Sequence, residues 1–120
     1  MKTFEEINKE LKLENTSDWG IINYDSNRVR EFINYYNENI ISIDKPTKVE
    51  FIDLIISSMN QALIEDKVNN ELISLFSEYL HSIETTKLNL MILENWASYE
   101  STEVDPFPVA DLIKTLICIE

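Results

Sequence analysis

At 120 residues, 44% of them apolar, with one glycine, three prolines and one cysteine, the chain has enough material for one ordinary core. Its composition excludes intrinsic disorder, a disulfide framework and an all-β fold built on tight turns. The net charge of −12 opposes direct contact with nucleic acid or an anionic membrane, since both require phosphates to be neutralised.

The expected fold is all-α: a single domain over 1–120, folded as a compact bundle of about six helices, with stacked helical pairs as one arrangement. Phe4, Ile7 and Leu11 recur at helical spacing and predict a first helix over 3–13. The stretch 14–24, with Asp18, Trp19 and Gly20 at its centre, breaks that spacing. It reads as a turn-rich connection whose apolar middle packs on the body as a wedge. Asp25 or Ser26 would cap the next helix, whose core stripe is Val29, Phe32, Ile33, Tyr36 and Ile40.

Pro46, Thr47 and Glu50 look like a helix start, with Thr47 as the cap and Glu50 closing a capping box. The helix that follows carries Phe51, Ile52, Leu54, Ile55, Ile56, Met59 and Leu63 almost all round its circumference, which predicts a central helix with neighbours on several sides. A break over 66–70 leads into Leu72, Ile73, Leu75, Phe76, Tyr79, Leu80 and Ile83. Thr85 or Thr86 would open a fifth helix, with Leu88, Met91 and Ile92 as core and Trp96 and Tyr99 farther along the same face. The stretch 101–108 is a loop held by Pro106 and Pro108, and a short last helix begins at Val109.

Charge is unevenly distributed along this framework. Residues 1–60 hold 11 acids against 7 bases, a net of −4, and residues 61–120 hold 11 against 3, a net of −8. Between Leu88 and Ile113 there is no Lys or Arg at all. That stretch contains Glu94, Glu100, Glu103, Asp105 and Asp111, interleaved with Trp96, Tyr99 and Phe107. Such a mixture suits a surface that receives a basic protein, because acids steer the encounter and aromatic rings anchor it. Phe107, between two prolines and beside acids, is the expected exposed anchor. The same acidity also serves plain solubility.

Chemistry has little to work with. His81 is the single histidine and lies three residues after Glu78. One Glu-x-x-His pair is a fraction of a carboxylate-bridged metal site, so His81 reads as a surface residue near a helix end. Cys118, between Ile117 and Ile119, reads as a small buried hydrophobe, and no internal disulfide is possible with one cysteine. Glu5 with Glu6, and Glu65 with Asp66, are adjacent on helices and therefore point about 100° apart, which suits a solvated face better than paired acid and base. No glycine-rich loop is present to cradle phosphate. The expectation is a protein that is not an enzyme, with no catalytic residues, no metal, no cofactor and no small-molecule substrate. Met1 to Glu6 read as polar and acidic, without a leader pattern, and the expected location is the cytoplasm.

Asp18, Trp19, Gly20, Ile21, Ile22 and Asn23, followed by Asn27, Arg28, Val29, Glu31, Phe32, Ile33, Tyr35 and Tyr36, resemble the small acidic immunity proteins of bacterial polymorphic toxin and contact-dependent growth inhibition systems. The late Phe107, Pro108 and Val109 are similar to their C-terminal region. The resemblance implies a cytoplasmic protein that binds a cognate toxin domain, often a basic nuclease, and blocks its active site or another essential surface. It carries no toxin-facing residue over by motif, because those positions vary. The interface residues Glu94, Trp96, Tyr99, Glu100, Glu103, Asp105, Phe107 and Asp111 rest on charge and aromatic content alone. The alternative is an acidic mimic of nucleic acid that occupies a DNA-binding protein.

Overall fold

Thr3 opens the first helix, α1 (Phe4–Leu11), by accepting from the Glu6 N–H at 3.2 Å. This helix buries Ile7 and Leu11 and ends at Lys12, whose left-handed φ of 58° stops the winding. The computed structural model describes residues 1–117, and among these the regular structure is helical throughout. Cys118, expected to be a buried hydrophobe, lies outside the described residues.

The connection expected over 14–24 contains a helix of its own, α2 (Trp19–Ile22), which brings the described residues to seven α-helices, in keeping with the expected bundle of about six. Trp19 is the wedge. It is 3% exposed, its ring meets Phe4 at 5.4 Å and Phe51 at 5.3 Å, both edge to face, and its indole N–H donates to the Asn8 side-chain oxygen. Gly20 lets α2 lie flush on its neighbour: a Cβ there would stand 2.5 Å from the Glu50 carbonyl oxygen and 2.8 Å from the Asp53 Cβ. Only glycine permits that approach. Ile21 and Ile22 were expected in an apolar middle packed on the body, but they point outward.

The third helix, α3 (Val29–Asn39), buries Val29, Phe32, Ile33 and Tyr36 as expected. Its expected cap is different. Arg28 occupies the cap position without a side-chain capping bond, while Asp25 accepts from the Asn27 N–H at 2.9 Å in a local turn. Arg28 is used elsewhere, donating to the Leu11 carbonyl at 2.6 Å and pairing with Glu31 at 2.8 Å. It thereby satisfies a carbonyl left open at the end of α1. Ile40 is not part of the core stripe, since the chain leaves α3 through a 3-10 turn (Ile40–Ser42) and its side chain is 38% exposed.

The long helix α4 (Lys45–Ile64) begins earlier than the expected capping box. Asp44 is the cap, its carboxylate accepting from the Thr47 N–H at 2.9 Å. Pro46 sits in the first turn, where the missing N–H costs nothing. Thr47 lies inside the helix and is buried, and Glu50 reaches not back to it but toward the Gly20 N–H at 3.4 Å. As expected, α4 is central. It buries Phe51, Ile52, Leu54, Ile55, Ile56, Met59 and Ala62 and packs against α2, α3 and the last helix.

Glu65, expected to decorate a solvated face, is tied into a local network. It accepts from Ser26 at 3.0 Å and Gln61 at 2.6 Å and pairs with Lys67 at 2.7 Å. Lys67, Gln61 and Ser26 together hold its carboxyl down to about 2. Asn69 caps α5 (Asn70–Ile83), which buries Leu72, Phe76, Tyr79, Leu80 and Ile83. His81 is exposed near the end of that helix, and its Nδ1 meets Glu84 at 2.9 Å rather than Glu78. Thr86 caps α6 (Lys87–Ala97), and α7 (Pro108–Ile117) starts one residue before the expected Val109.

Candidate functional site at the end of α6

The stripe on α6 is rotated from the expected one. Leu93 and Ala97 are buried, whereas Leu88 and Met91, expected as core, are more than half exposed. Ile92 and Trp96 take intermediate positions. Helical spacing correctly places Leu88 and Met91 together, but α6 packs chiefly on α7 and leaves both side chains more than half exposed.

Trp96 is the centre of the site. Its indole N–H donates to Asp53 Oδ1 at 3.1 Å, which ties the end of α6 to the middle of α4. Phe107 stacks on the other side of the indole at 5.7 Å and 12°. Tyr99 closes the group at 4.8 Å from Phe107 and 6.0 Å from Trp96. Phe107 is therefore not the exposed anchor expected from its place between two prolines: it is partly buried against the core, because the flat indole face offers it a partner. The accessible ring is Tyr99, 50% exposed.

The loop between α6 and α7 is held by its own backbone and hydroxyl groups. The Thr102 N–H donates to the Asp105 carbonyl at 3.1 Å, and the Asp105 N–H donates to Thr102 Oγ1 at 2.9 Å. The Phe107 N–H donates to Ser101 Oγ at 2.7 Å. The Val109 N–H reaches Asn60 on α4 at 3.2 Å. These bonds give the acids a defined scaffold, with Val104 97% exposed at the tip.

Glu94, Glu100, Glu103, Asp105 and Asp111 are all exposed. Among the described residues none of the five is in an ion pair. Glu100, Glu103 and Asp105 share the loop that carries Phe107, Asp111 lies in the first turn of α7, and Glu94 lies on α6. The structure thus brings Trp96, Tyr99 and Phe107 into contact and leaves the five carboxylates as separate charges. With no Lys or Arg paired to them among the described residues, the five carboxylates suit the reception of cations.

Beneath the aromatic group lies Asp53, which was not picked out as a site residue. Burial raises its carboxyl above the usual aspartate value of 3.8, the Trp96 hydrogen bond opposes that rise, and the neighbouring Glu50 charge adds to it. The same Asp53 touches α2, since Gly20 lies against its Cβ. The Trp19 segment and the Trp96 segment, far apart in sequence, thus meet on one side chain. Ile21, Ile22 and Tyr24, each about half exposed, add apolar surface on the α2 side of this junction. One sequence signal was available: Glu50 and Asp53, the two acids of α4, stand three residues apart and so share a single face of a helix rich in apolar residues.

Among the described residues no group of three or more His, Cys, Asp or Glu side chains is placed to hold a metal ion, and no helix is long and apolar enough to cross a membrane. Compared with models of protein families, with curated proteins and with solved structures, the chain matches none of the three.

Proposed function

We propose that this protein is an immunity protein, which binds a cognate bacterial toxin domain and occludes its active or functional surface. The toxin domain would be basic and of nuclease type, and the encounter would take place in the cytoplasm. The observation that carries this reading is the set of five exposed carboxylates, without an ion-pair partner among the described residues, carried by the same α6–loop–α7 stretch as a packed three-ring cluster whose most exposed member is Tyr99. The carboxylates would accelerate association with a basic surface, and Tyr99, backed by Phe107 and Trp96, would slow dissociation. The sequence resemblance to acidic immunity proteins points the same way.

The test is co-expression with the protein encoded next to this one, read as growth rescue and as recovery of a stable complex. Stopped-flow association should then slow steeply with added salt, and E100K/E103K/D105K should slow it about tenfold or more at low salt. Rescue without any salt dependence would remove the electrostatic part of the proposal. If no complex and no toxicity are found, but DNA competes with this chain for a DNA-binding protein, the acidic mimic takes its place.

A further inference from the structure

A second region has the opposite electrostatic character. A cavity of about 350 Å³ lies between the end of α3, the start of α4, the end of α5 and the start of α6. Tyr36, Val49, Ile83 and Leu88 supply its apolar wall, and Lys45 and Lys48 stand at its edge. The two lysines are three residues apart on α4 and so share one face of the helix.

Lys48 is unusual among the basic residues. Three of the ten, Lys2, Arg28 and Lys48, are partly buried. Lys2 pairs with Glu10 and Arg28 with Glu31, but among the described residues Lys48 has no carboxylate partner. In a chain of net charge −12, where carboxylates outnumber cations by more than two to one, Lys48 stands out as a partly buried lysine that lines a largely apolar cavity and has no carboxylate partner among the described residues. A second cavity among the described residues, about 360 Å³ and lined in part by Arg30 and Lys67, differs in this respect. There Lys67 pairs with Glu65 at 2.7 Å and Arg30 lies 3.8 Å from Glu71.

We infer that the α4–α5–α6 cavity binds a small amphipathic carboxylate, with its apolar body against Tyr36, Val49, Ile83 and Leu88 and its carboxylate between Lys45 and Lys48. The volume is at the lower end of the range for small-molecule sites, and the combination of apolar wall and a few charged groups is typical of them. The site lies outside the acidic face, so its test is independent of the immunity proposal.

The test is an amide NMR titration of the full chain with octanoate, repeated with octan-1-ol and with K45Q/K48Q. Octanoate should shift the amides of Tyr36, Val49, Ile83 and Leu88 in a saturable way. Octan-1-ol should bind at least about tenfold more weakly, and K45Q/K48Q should weaken octanoate by a similar factor. Lys45 is exposed and Lys48 partly so, and the octan-1-ol comparison on the unaltered chain decides the role of charge even if the double variant folds poorly. Equal binding of acid and alcohol, unchanged octanoate binding in the double variant, or no saturable shift would overturn the inference. So would a peptide of alternating Leu and Glu that occupies the cavity when octanoate does not, since that would make it a protein-docking site.

Discussion

The indole N–H of Trp96 donates to the carboxylate of Asp53 across 3.1 Å, and that bond joins the aromatic face at the end of α6 to the central helix α4. Asp53 is partly buried and its carboxyl is raised by that burial above the usual 3.8. Its ionised form is therefore held at a cost to the fold.

The sign of the resulting pH dependence follows directly. An acid raised in the folded state disfavours folding once it ionises, so the cost is absent below the unfolded value and fully present above the folded one. D53N keeps an oxygen for the indole and removes the charge. It should be as stable as the parent or more so at pH 7, with the advantage shrinking as the pH falls toward 3.8. D53A leaves the indole N–H without its acceptor and should cost about 1–2 kcal/mol. Urea unfolding of the three proteins at several pH values checks both statements.

Gly20 should tolerate no side chain. An added Cβ would meet the backbone of α4 at the Glu50 carbonyl, 2.5 Å away, and a main-chain atom in the middle of a helix cannot swing aside. G20A is expected to destabilise the protein by about 1–3 kcal/mol, the usual cost of overpacking. I22A, on the exposed side of the same helix, should stay within about 0.5 kcal/mol of the parent. Comparing their unfolding midpoints separates contact from exposure on one four-residue helix.

The start of α4 gives a third prediction. Asp44 caps the helix, and its carboxyl is held below the usual 3.8 by bonds from the Thr47 hydroxyl and the Thr47 N–H. A depressed acid contributes stability above its unfolded value and loses it as the pH falls through the folded one. D44A should lower the thermal midpoint at pH 7, and the gap should narrow in acid. E50A, which a capping box headed by Thr47 would make harmful in the same way, should not reproduce that pH-dependent loss. Thermal unfolding of both variants across the acid range decides between the two caps.

The acids of the α6–α7 loop are expected to matter little for the fold. Glu100, Glu103 and Asp105 are exposed and have no ion-pair partner among the described residues, and removing like charge from a chain of −12 relieves self-repulsion. E100Q/E103Q/D105N should leave the unfolding free energy unchanged within about 0.5 kcal/mol, or raise it. A large loss of stability would show that these side chains serve the loop itself.

Much of the fold was legible because apolar spacing is a local property of the chain. Phe4, Ile7 and Leu11 gave α1, the apolar circumference of 51–63 marked α4 as central, and Thr86 was among the expected caps. Two signals misled for physical reasons. Pro46 and Thr47 pointed to a start at Thr47, yet Asp44, three residues upstream of Thr47, supplies the better-placed acceptor, and the first turn of a helix has no use for the proline N–H. Leu88 and Met91 share a face, but periodicity says nothing about whether another helix lies against it.

Sequence by itself determined the helical class, the central helix and the acidic stretch between Leu88 and Ile113, because composition, spacing and charge are carried by the chain before it folds. Tertiary structure alone decided that Trp96 bonds Asp53, that Phe107 turns inward while Tyr99 faces out, and that Gly20 seats α2 on α4. Each of those depends on which backbone arrives opposite a side chain, and that is a property of packing between segments more than thirty residues apart or joined through an irregular loop.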